Sequence, residues 1–247
     1  MKPSGAVTSD FFKNVKGILL DLDGVVHIGD TPIPGAVETL AFLERRNIPV
    51  RFVTNTTTKS PENLHRQMVE MGLPIRAEAI LTTHRVAAQY LKRLGRPTCH
   101  LLVAEQALSA YEGIPTSDTA PEHVVIGDIG ERWNYKVLNG VFNMIMEGAG
   151  MIALHKGRYW KTEDGIQMDI GAFVAGLEYV TGKTATVIGK PSPTFFETAL
   201  ELLAVPMQHA IMIGDDIETD VGGAQAFGIR GVLVKTGKYR RDAVARS

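Results

Sequence analysis

The chain has 247 residues, 45% of them apolar and 21% charged, enough for one large or two ordinary globular domains with a substantial core. Its 26 basic and 27 acidic residues give a formal net charge of -1, which excludes the broad positive field that nucleic-acid or anionic-membrane binding uses. Cys99 is the only cysteine, so an intrachain disulfide and a thiolate metal cluster are excluded, in keeping with a reducing compartment.

The first sixteen residues lack the apolar segment of a secretory signal, and no long apolar run appears later, so a soluble cytoplasmic protein is expected. The first strong element is Lys16-Gly-Ile-Leu-Leu-Asp-Leu-Asp-Gly-Val-Val26. Its continuous apolar run predicts a fully buried strand of a parallel sheet, closed by Asp21, Asp23 and Gly24. A loop is predicted over 30–35 and an amphipathic helix over 36–46, where Val37, Leu40, Ala41 and Leu43 form the apolar stripe. A second short strand over 50–55 ends in Thr54 and Asn55. Ser60-Pro61-Glu62 then has the cap, the first-turn proline and the first-turn acid of a helix start, with Gly72 as the stop. Strand, helix, strand, helix is the opening of a doubly wound α/β sheet.

From residue 84 the rhythm changes. A helix over 83–94 closes at Gly95, and strands are predicted over 99–103, 123–127 and 151–154. A hairpin follows, with arms at 158–161 and 165–169 around Thr162-Glu163-Asp164-Gly165, because Asp-Gly tolerates the positive φ of a tight turn. The opening rhythm returns after Thr184: a strand over 185–188, a helix start at Ser192-Pro193, a strand over 210–213, a helix after Ile217 and a strand over 231–234. The expected organisation is a mostly parallel, Rossmann-like α/β core built from residues 1–83 and 181–247, with residues 84–180 inserted as an α/β domain.

Polar groups collect just past the predicted core strands: Asp21 and Asp23, then Thr54, then Lys190, then Gly214-Asp-Asp-Ile-Glu-Thr-Asp220. A parallel sheet brings strand ends of one kind to one edge, so these residues should converge. Clustered carboxylates suit a hard divalent cation such as Mg²⁺, while a lysine, a hydroxyl and loop amides suit phosphoryl oxygens.

Asp-Leu-Asp-Gly at 21–24, Val-Thr-Asn at 53–55, Gly-Lys-Pro at 189–191 and Gly-Asp-Asp-x-x-x-Asp at 214–220 resemble, in order, the four motifs of the haloacid dehalogenase superfamily. The segment between the second and third resembles the large cap of the NagD-type phosphatases. Gly157-Arg-Tyr-Trp-Lys161, Val187 to Pro193, and Ile213 to Gln225 are most similar to the branch containing phospholysine phosphohistidine inorganic pyrophosphate phosphatase and its hydrolase-like relatives.

The resemblance implies a phosphatase for a small phosphorylated compound. Asp21 would be the nucleophile that forms an aspartyl-phosphate, and Asp23 the acid and then the base. Thr54 and the Asn55 amide would hold phosphoryl oxygens, and Lys190 would neutralise charge. Mg²⁺ would be held by Asp21, the Asp23 backbone carbonyl and Asp215, with Asp216 and Asp220 in support. Carbon–halogen hydrolysis in this superfamily dispenses with the metal and with an acid two residues after the nucleophile, so Asp23 favours phosphoryl transfer. The family also implies a homodimer through the cap, and a further strand and helix after residues 236–239, where this sequence ends at Ser247.

Two other readings stay open: a metal- and phosphate-binding sensor, against which the first-strand Asp21 and the large insert argue, and a phosphotransferase or phosphomutase using the same intermediate. Gly176 to Thr184 imitates a nucleotide-binding loop but has one residue too many between its glycines and follows a helical pattern. Asn55-Thr-Thr57 fits a glycosylation acceptor but falls at the proposed active edge. The histidines show no metal-ligand spacing. Asp128, His155, Lys156, Arg158 and Tyr159 follow insert strands and are candidates for leaving-group contact.

Overall fold

The computed structural model describes residues 9–162 and 165–245, in two compact units. The first comprises the chain up to Thr54, Leu64–Leu81, and the chain from Lys190 onward. The second comprises Asn55–Asn63 and Thr82–Gly189.

In chain order, the described strands are β1 (Gly17–Asp21), β2 (His27–Ile28), β3 (Thr31–Pro32), β4 (Val50–Thr54), β5 (Ile80–Thr82), β6 (Cys99–Leu102), β7 (His123–Ile126), β8 (Gly150–Ala153), β9 (Tyr159–Thr162), β10 (Gly165–Met168), β11 (Thr186–Val187), β12 (Ala210–Gly214) and β13 (Arg230–Leu233).

The main sheet of the first unit has the order β13-β12-β1-β4-β5. The β13–β12, β12–β1 and β1–β4 pairs are parallel, with Leu20 opposite Ile213 on one side and Phe52 on the other. All five residues of β1 are buried, as its unbroken apolar run requires of a central strand. Leu40 and Leu43 of the helix Ala36–Arg45, Leu64 and Met68 of the helix Pro61–Glu70, and Ile18, Leu20, Phe52 and Ile211 of the sheet form one apolar cluster. The chain leaves β1 towards β4 on one side, while β12 lies on the other. A doubly wound sheet opens its ligand crevice at such a reversal of strand order.

The segment predicted as a loop over 30–35 contains β3, which pairs antiparallel with β2, His27 opposite Pro32. Two-residue strands are too short to show an alternating pattern. The helix expected after Ile217 opens instead as a π-helical segment, Ile217–Gly222, and becomes α-helical only at Gly223–Phe227.

The second unit has its own four-stranded sheet among the described residues, β11-β8-β7-β6, with parallel pairing. Val124, Ile126, Met151 and Ala153 of that sheet pack with Val141 and Ile145 of the helix Tyr135–Met146 and Val174 and Leu177 of the helix Gly171–Thr181. Asn134 caps the first of these helices, its side chain accepting from Val137 N at 3.0 Å, and Gly182 at φ 65° ends the second. Strands β9 and β10 pair antiparallel, Tyr159 opposite Met168. The turn residues predicted between them, Glu163 and Asp164, lie outside the described residues.

Candidate active site

In the first unit, Asp21 is the last residue of β1, and Asp215 follows directly on the neighbouring strand β12. Parallel pairing places both at one edge of the sheet. Lys190 reaches them from the segment preceding the helix Pro193–Leu203. Its ammonium donates to Asp21 Oδ1 at 2.6 Å and forms an ion pair with Asp220 Oδ1 at 2.7 Å. Asp21, Lys190, Asp215 and Asp220 are all buried, none more than 6% exposed.

The carboxylates of Asp21, Asp215 and Asp220 have oxygens within 4.8 Å of one another. Three buried acids outnumber the two lysines that act on them, Lys190 in direct contact and Lys238 at longer range, and the titration of Asp21 and Asp215 reflects it. Burial raises the Asp21 carboxyl well above its ordinary range, Lys190 opposes this, and Asp220 and Asp215 push it further up. Burial likewise raises Asp215 to about 6, against the Lys238 backbone amide, with Asp220 adding to the rise. Desolvation works against the charge on Lys190, but Asp21 and Asp220 outweigh it and hold the ammonium protonated. An all-oxygen donor set with excess negative charge fits a hard divalent cation such as Mg²⁺, with Asp21, Asp215 and Asp220 as candidate holders.

Two glycines permit this crowding. At Gly24, φ 80°, a Cβ would lie 2.1 Å from Asp215 Oδ2, and at Gly237, φ 52°, it would lie 1.9 Å from the same oxygen. A side chain at either position would displace the carboxylate, besides straining the left-handed backbone. The Lys238 amide donates to Asp215 Oδ2 at 2.5 Å, and Thr236 Oγ1 donates to the Gly24 carbonyl at 2.5 Å. Gly24 is part of the acidic motif, but the enclosure of Asp215 by residues 236–238 had no sequence signal beyond a Gly-Lys pair after a strand.

Asp220 is fixed by the π-helical segment, where the extra residue per turn shifts its side chain relative to an α-helix. Its Oδ2 accepts from the Asp216 amide at 3.2 Å. Asp216 itself caps the segment, with Oδ1 accepting from Glu218 N at 2.9 Å and Thr219 N at 3.0 Å. Its side chain thus serves the turn that presents Asp220 and is not among the three clustered carboxylates.

Asp23 lies two residues beyond Asp21. Its side chain is 53% exposed, with Oδ1 3.8 Å from His27 Nε2. Thr54 ends β4 and is buried, one residue after Val53, the register partner of Asp21. Asn55 follows Thr54 in the chain and belongs to the second unit. There its Oδ1 lies where a Cβ on Gly189 would stand only 2.6 Å away, so the Gly-Lys-Pro glycine is a packing requirement.

The other candidates from the second unit have local partners. Asp128 Oδ1 accepts from Gly130 N at 2.7 Å, and Lys156 pairs with Glu178 at 2.6 Å. His155 is buried; its Nδ1 accepts from Gly157 N at 3.0 Å, and its Nε2 stands 3.8 Å from Asp169 Oδ1. Arg158 and Tyr159 are exposed.

A buried acid at the end of a central parallel strand, paired with a lysine and crowded by two further acids, places this chain among Rossmann-like α/β proteins whose strand-end site suits a cation and a phosphoryl group. A family model described as haloacid dehalogenase-like hydrolase matches residues 18–114, and one described as HAD-hydrolase-like matches residues 187–247. The chain is 45% identical over 226 residues to haloacid dehalogenase-like hydrolase domain-containing protein 2 of Bos taurus, covering 92% of this chain and 86% of that one. It is 42% identical over 233 residues to phospholysine phosphohistidine inorganic pyrophosphate phosphatase of Homo sapiens, covering 92% and 85%. Among solved structures, a 4-nitrophenylphosphatase from Thermotoga maritima superposes with a TM-score of 0.88 at 28% identity, covering 95% of this chain and 91% of that one. A structure described as a putative NagD protein superposes with a TM-score of 0.87 at 28% identity, covering 92% of this chain and 91% of that one. The chain belongs to the haloacid dehalogenase-like hydrolases, as a phosphatase of the NagD type.

Proposed function

We propose that this protein is a Mg²⁺-dependent phosphatase that hydrolyses a small phosphorylated metabolite, a phosphomonoester, pyrophosphate or phosphoramidate, through a phosphorylated Asp21. The observation that carries the reading is the buried Asp21 carboxylate at the end of β1, held by Lys190 at 2.6 Å among two further acids. A carboxylate fixed in this way is oriented for attack, and Lys190 balances the charge that the phosphoryl group brings.

Asp21 attacks phosphorus; the bond to the leaving oxygen breaks, and Asp23 donates a proton to that oxygen. Asp23 then accepts a proton from the water that releases phosphate and regenerates Asp21. Thr54 and the Asn55 amide hold phosphoryl oxygens. Mg²⁺, held by Asp21, the Asp23 carbonyl and Asp215 with Asp220 and Asp216 in support, would supply neutralisation between the anionic nucleophile and the anionic phosphate.

The second unit, covering the insert of residues 84–180, is read as the substrate-selecting cap, with Asp128, His155, Lys156, Arg158 and Tyr159 as candidate selectors. Register places Tyr159, Ile166 and Met168 on one face of the β9–β10 hairpin, and all three are exposed; a second copy of the chain is the proposed cover, which sedimentation analysis tests. Among the described residues no helix is long and apolar enough to cross a membrane. A cytoplasmic location is part of the reading, and fits Cys99 as a buried thiol without a disulfide partner.

The test is phosphate release from p-nitrophenyl phosphate, pyrophosphate, phospholysine and sugar phosphates, with Mg²⁺ and with EDTA, for wild type and Asp21→Asn. Release that needs Mg²⁺ and disappears in the variant supports the reading. Tight phosphate binding without release from any substrate contradicts it.

A further inference from the structure

The turn after β13 brings a second lysine to the acidic cluster of the first unit. Thr236 to Tyr239 form a tight turn: Tyr239 N donates to the Thr236 carbonyl at 3.0 Å, and Gly237, at φ 52°, takes the position that needs a left-handed backbone. Thr236 Oγ1 ties this turn to the Gly24 carbonyl, and the Lys238 amide ties it to Asp215 Oδ2. The backbone of Lys238 is therefore fixed, and its side chain starts beside the cluster.

The two lysines of the site stand in different conditions. Lys190 is buried and in direct contact with Asp21 and Asp220. Lys238 is exposed, and among the described residues its ammonium has neither a hydrogen bond nor an ion pair. The charges of Asp21, Asp216 and Asp215 act on it across a gap. No acid stands between Lys235 and Arg241, so its own segment supplies no carboxylate to take it up. An ammonium held in this field, paired with none of the carboxylates, is open to an anion that enters the site.

Depth separates the roles of the two charges. The phosphoryl group that Asp21 attacks lies against the buried acids, where Lys190 serves it. In-line displacement puts the leaving group on the other side of phosphorus from Asp21, away from the buried cluster. We infer that Lys238 is a specificity residue: its ammonium pairs with a second anionic group on the leaving side of the substrate, a carboxylate or a further phosphoryl group. This role rests on the reading of Asp21 as the nucleophile. Among the substrate classes of that reading it favours those with a second anion, and it disfavours a leaving group that bears a cation.

Esters of small alcohols isolate the charge. Phosphoglycolate carries an anion on its leaving group, ethyl phosphate no charge, and phosphoethanolamine a cation. Pyrophosphate and p-nitrophenyl phosphate make a second pair, with and without a further phosphoryl group. The test measures kcat/KM for all five with Mg²⁺ on wild type, Lys238→Met, Lys238→Arg and Lys235→Met. Comparing the same ratio between proteins cancels the intrinsic reactivity of each ester.

In Lys238→Met the ratio of phosphoglycolate to ethyl phosphate, or of pyrophosphate to p-nitrophenyl phosphate, should fall about ten- to a hundredfold, the usual effect of one hydrogen bond between charged groups. Phosphoethanolamine should lose nothing relative to ethyl phosphate. Lys238→Arg should keep most of the preference, and Lys235→Met all of it. Unchanged ratios in Lys238→Met, or an equal loss on every substrate, overturn the role of Lys238 and leave the hydrolase reading standing. So does a wild type that cleaves p-nitrophenyl phosphate but neither phosphoglycolate nor pyrophosphate. A wild type that cleaves none of the five overturns the hydrolase reading, and the role of Lys238 with it. Lys238→Met keeps the backbone amide that holds Asp215, and each ratio is internal to one protein, so partial misfolding does not imitate the expected result.

Discussion

The two parallel sheets of this protein both end their strands in polar residues, yet they treat them differently. In the second unit, Asp128 closes an Asx turn on the Gly130 amide, Lys156 pairs with Glu178, and His155 accepts from Gly157. Each group meets a neighbour close in the fold. In the first unit, Asp21 from the end of β1 meets Asp215 and Asp220 from the segment after β12, with like charge around Lys190. A strand-end position alone does not bring like charges together; a sheet edge shared by strands far apart in the chain does.

The strongest way to break this contrast is Lys190→Met. It removes the ammonium that holds Asp21 and Asp220 and should lower stability by about 3–5 kcal/mol, the usual result of leaving buried charges unpaired. Chemical denaturation of the metal-free variant and wild type measures this, and phosphate release should fall with it.

Next in size is the response to Mg²⁺. A cation that binds only the folded first unit should raise unfolding free energy by about 2.7 kcal/mol when its concentration is 100 times its dissociation constant. The shift in thermal midpoint should vanish in Asp215→Asn and persist in Lys156→Ala, which alters only the second unit.

A pH experiment isolates the second unit. His84 is buried there, Nε2 bonding the Thr57 carbonyl at 2.9 Å and Nδ1 the Tyr111 hydroxyl at 3.0 Å. Burial lowers its pKa from the ordinary 6.5, and the Thr57 carbonyl only partly opposes this. The unfolded chain then binds the proton more readily than the folded one. Its contribution to stability is therefore present above the ordinary histidine pKa and is lost as pH falls below it. Denaturation at pH 7.5 and at pH 5.5 should show this acid-side loss in wild type and a flatter dependence in His84→Gln.

The smallest effect is expected from Lys156→Ala. Its side chain is 37% exposed and that of its partner Glu178 18%, so solvent screens the pair in part, and exposed pairs contribute about 0–1 kcal/mol. A larger loss would show that the second unit depends on its charges as the first does.

The strand pattern of both units was legible because buried parallel strands are runs of apolar residues bounded by turns: Ile18 to Leu20, Val124 to Ile126 and Ile211 to Ile213 all have that form. The edge shared by Asp21 and Asp215 followed from parallel topology. Contacts that depend on side-chain reach did not follow. Nothing in the spacing of residues 214–220 says that a π-helical turn presents Asp220 to Lys190 while Asp216 caps that turn. The β2–β3 hairpin was too short to announce itself. Gly237 and Lys238 enclose Asp215 only because the chain after β13 returns to Gly24, which local sequence does not encode.

The most direct measurement is a rapid acid quench during turnover of p-nitrophenyl phosphate with Mg²⁺, followed by peptide mapping of the phosphorylated protein. A hydroxylamine-labile phosphoryl group on the peptide bearing Asp21, absent from Asp21→Asn, is the predicted result. Turnover with the phosphoryl group on another residue, or with no phosphorylated protein at any substrate concentration, would contradict the assignment of the β1 strand end as the reactive centre.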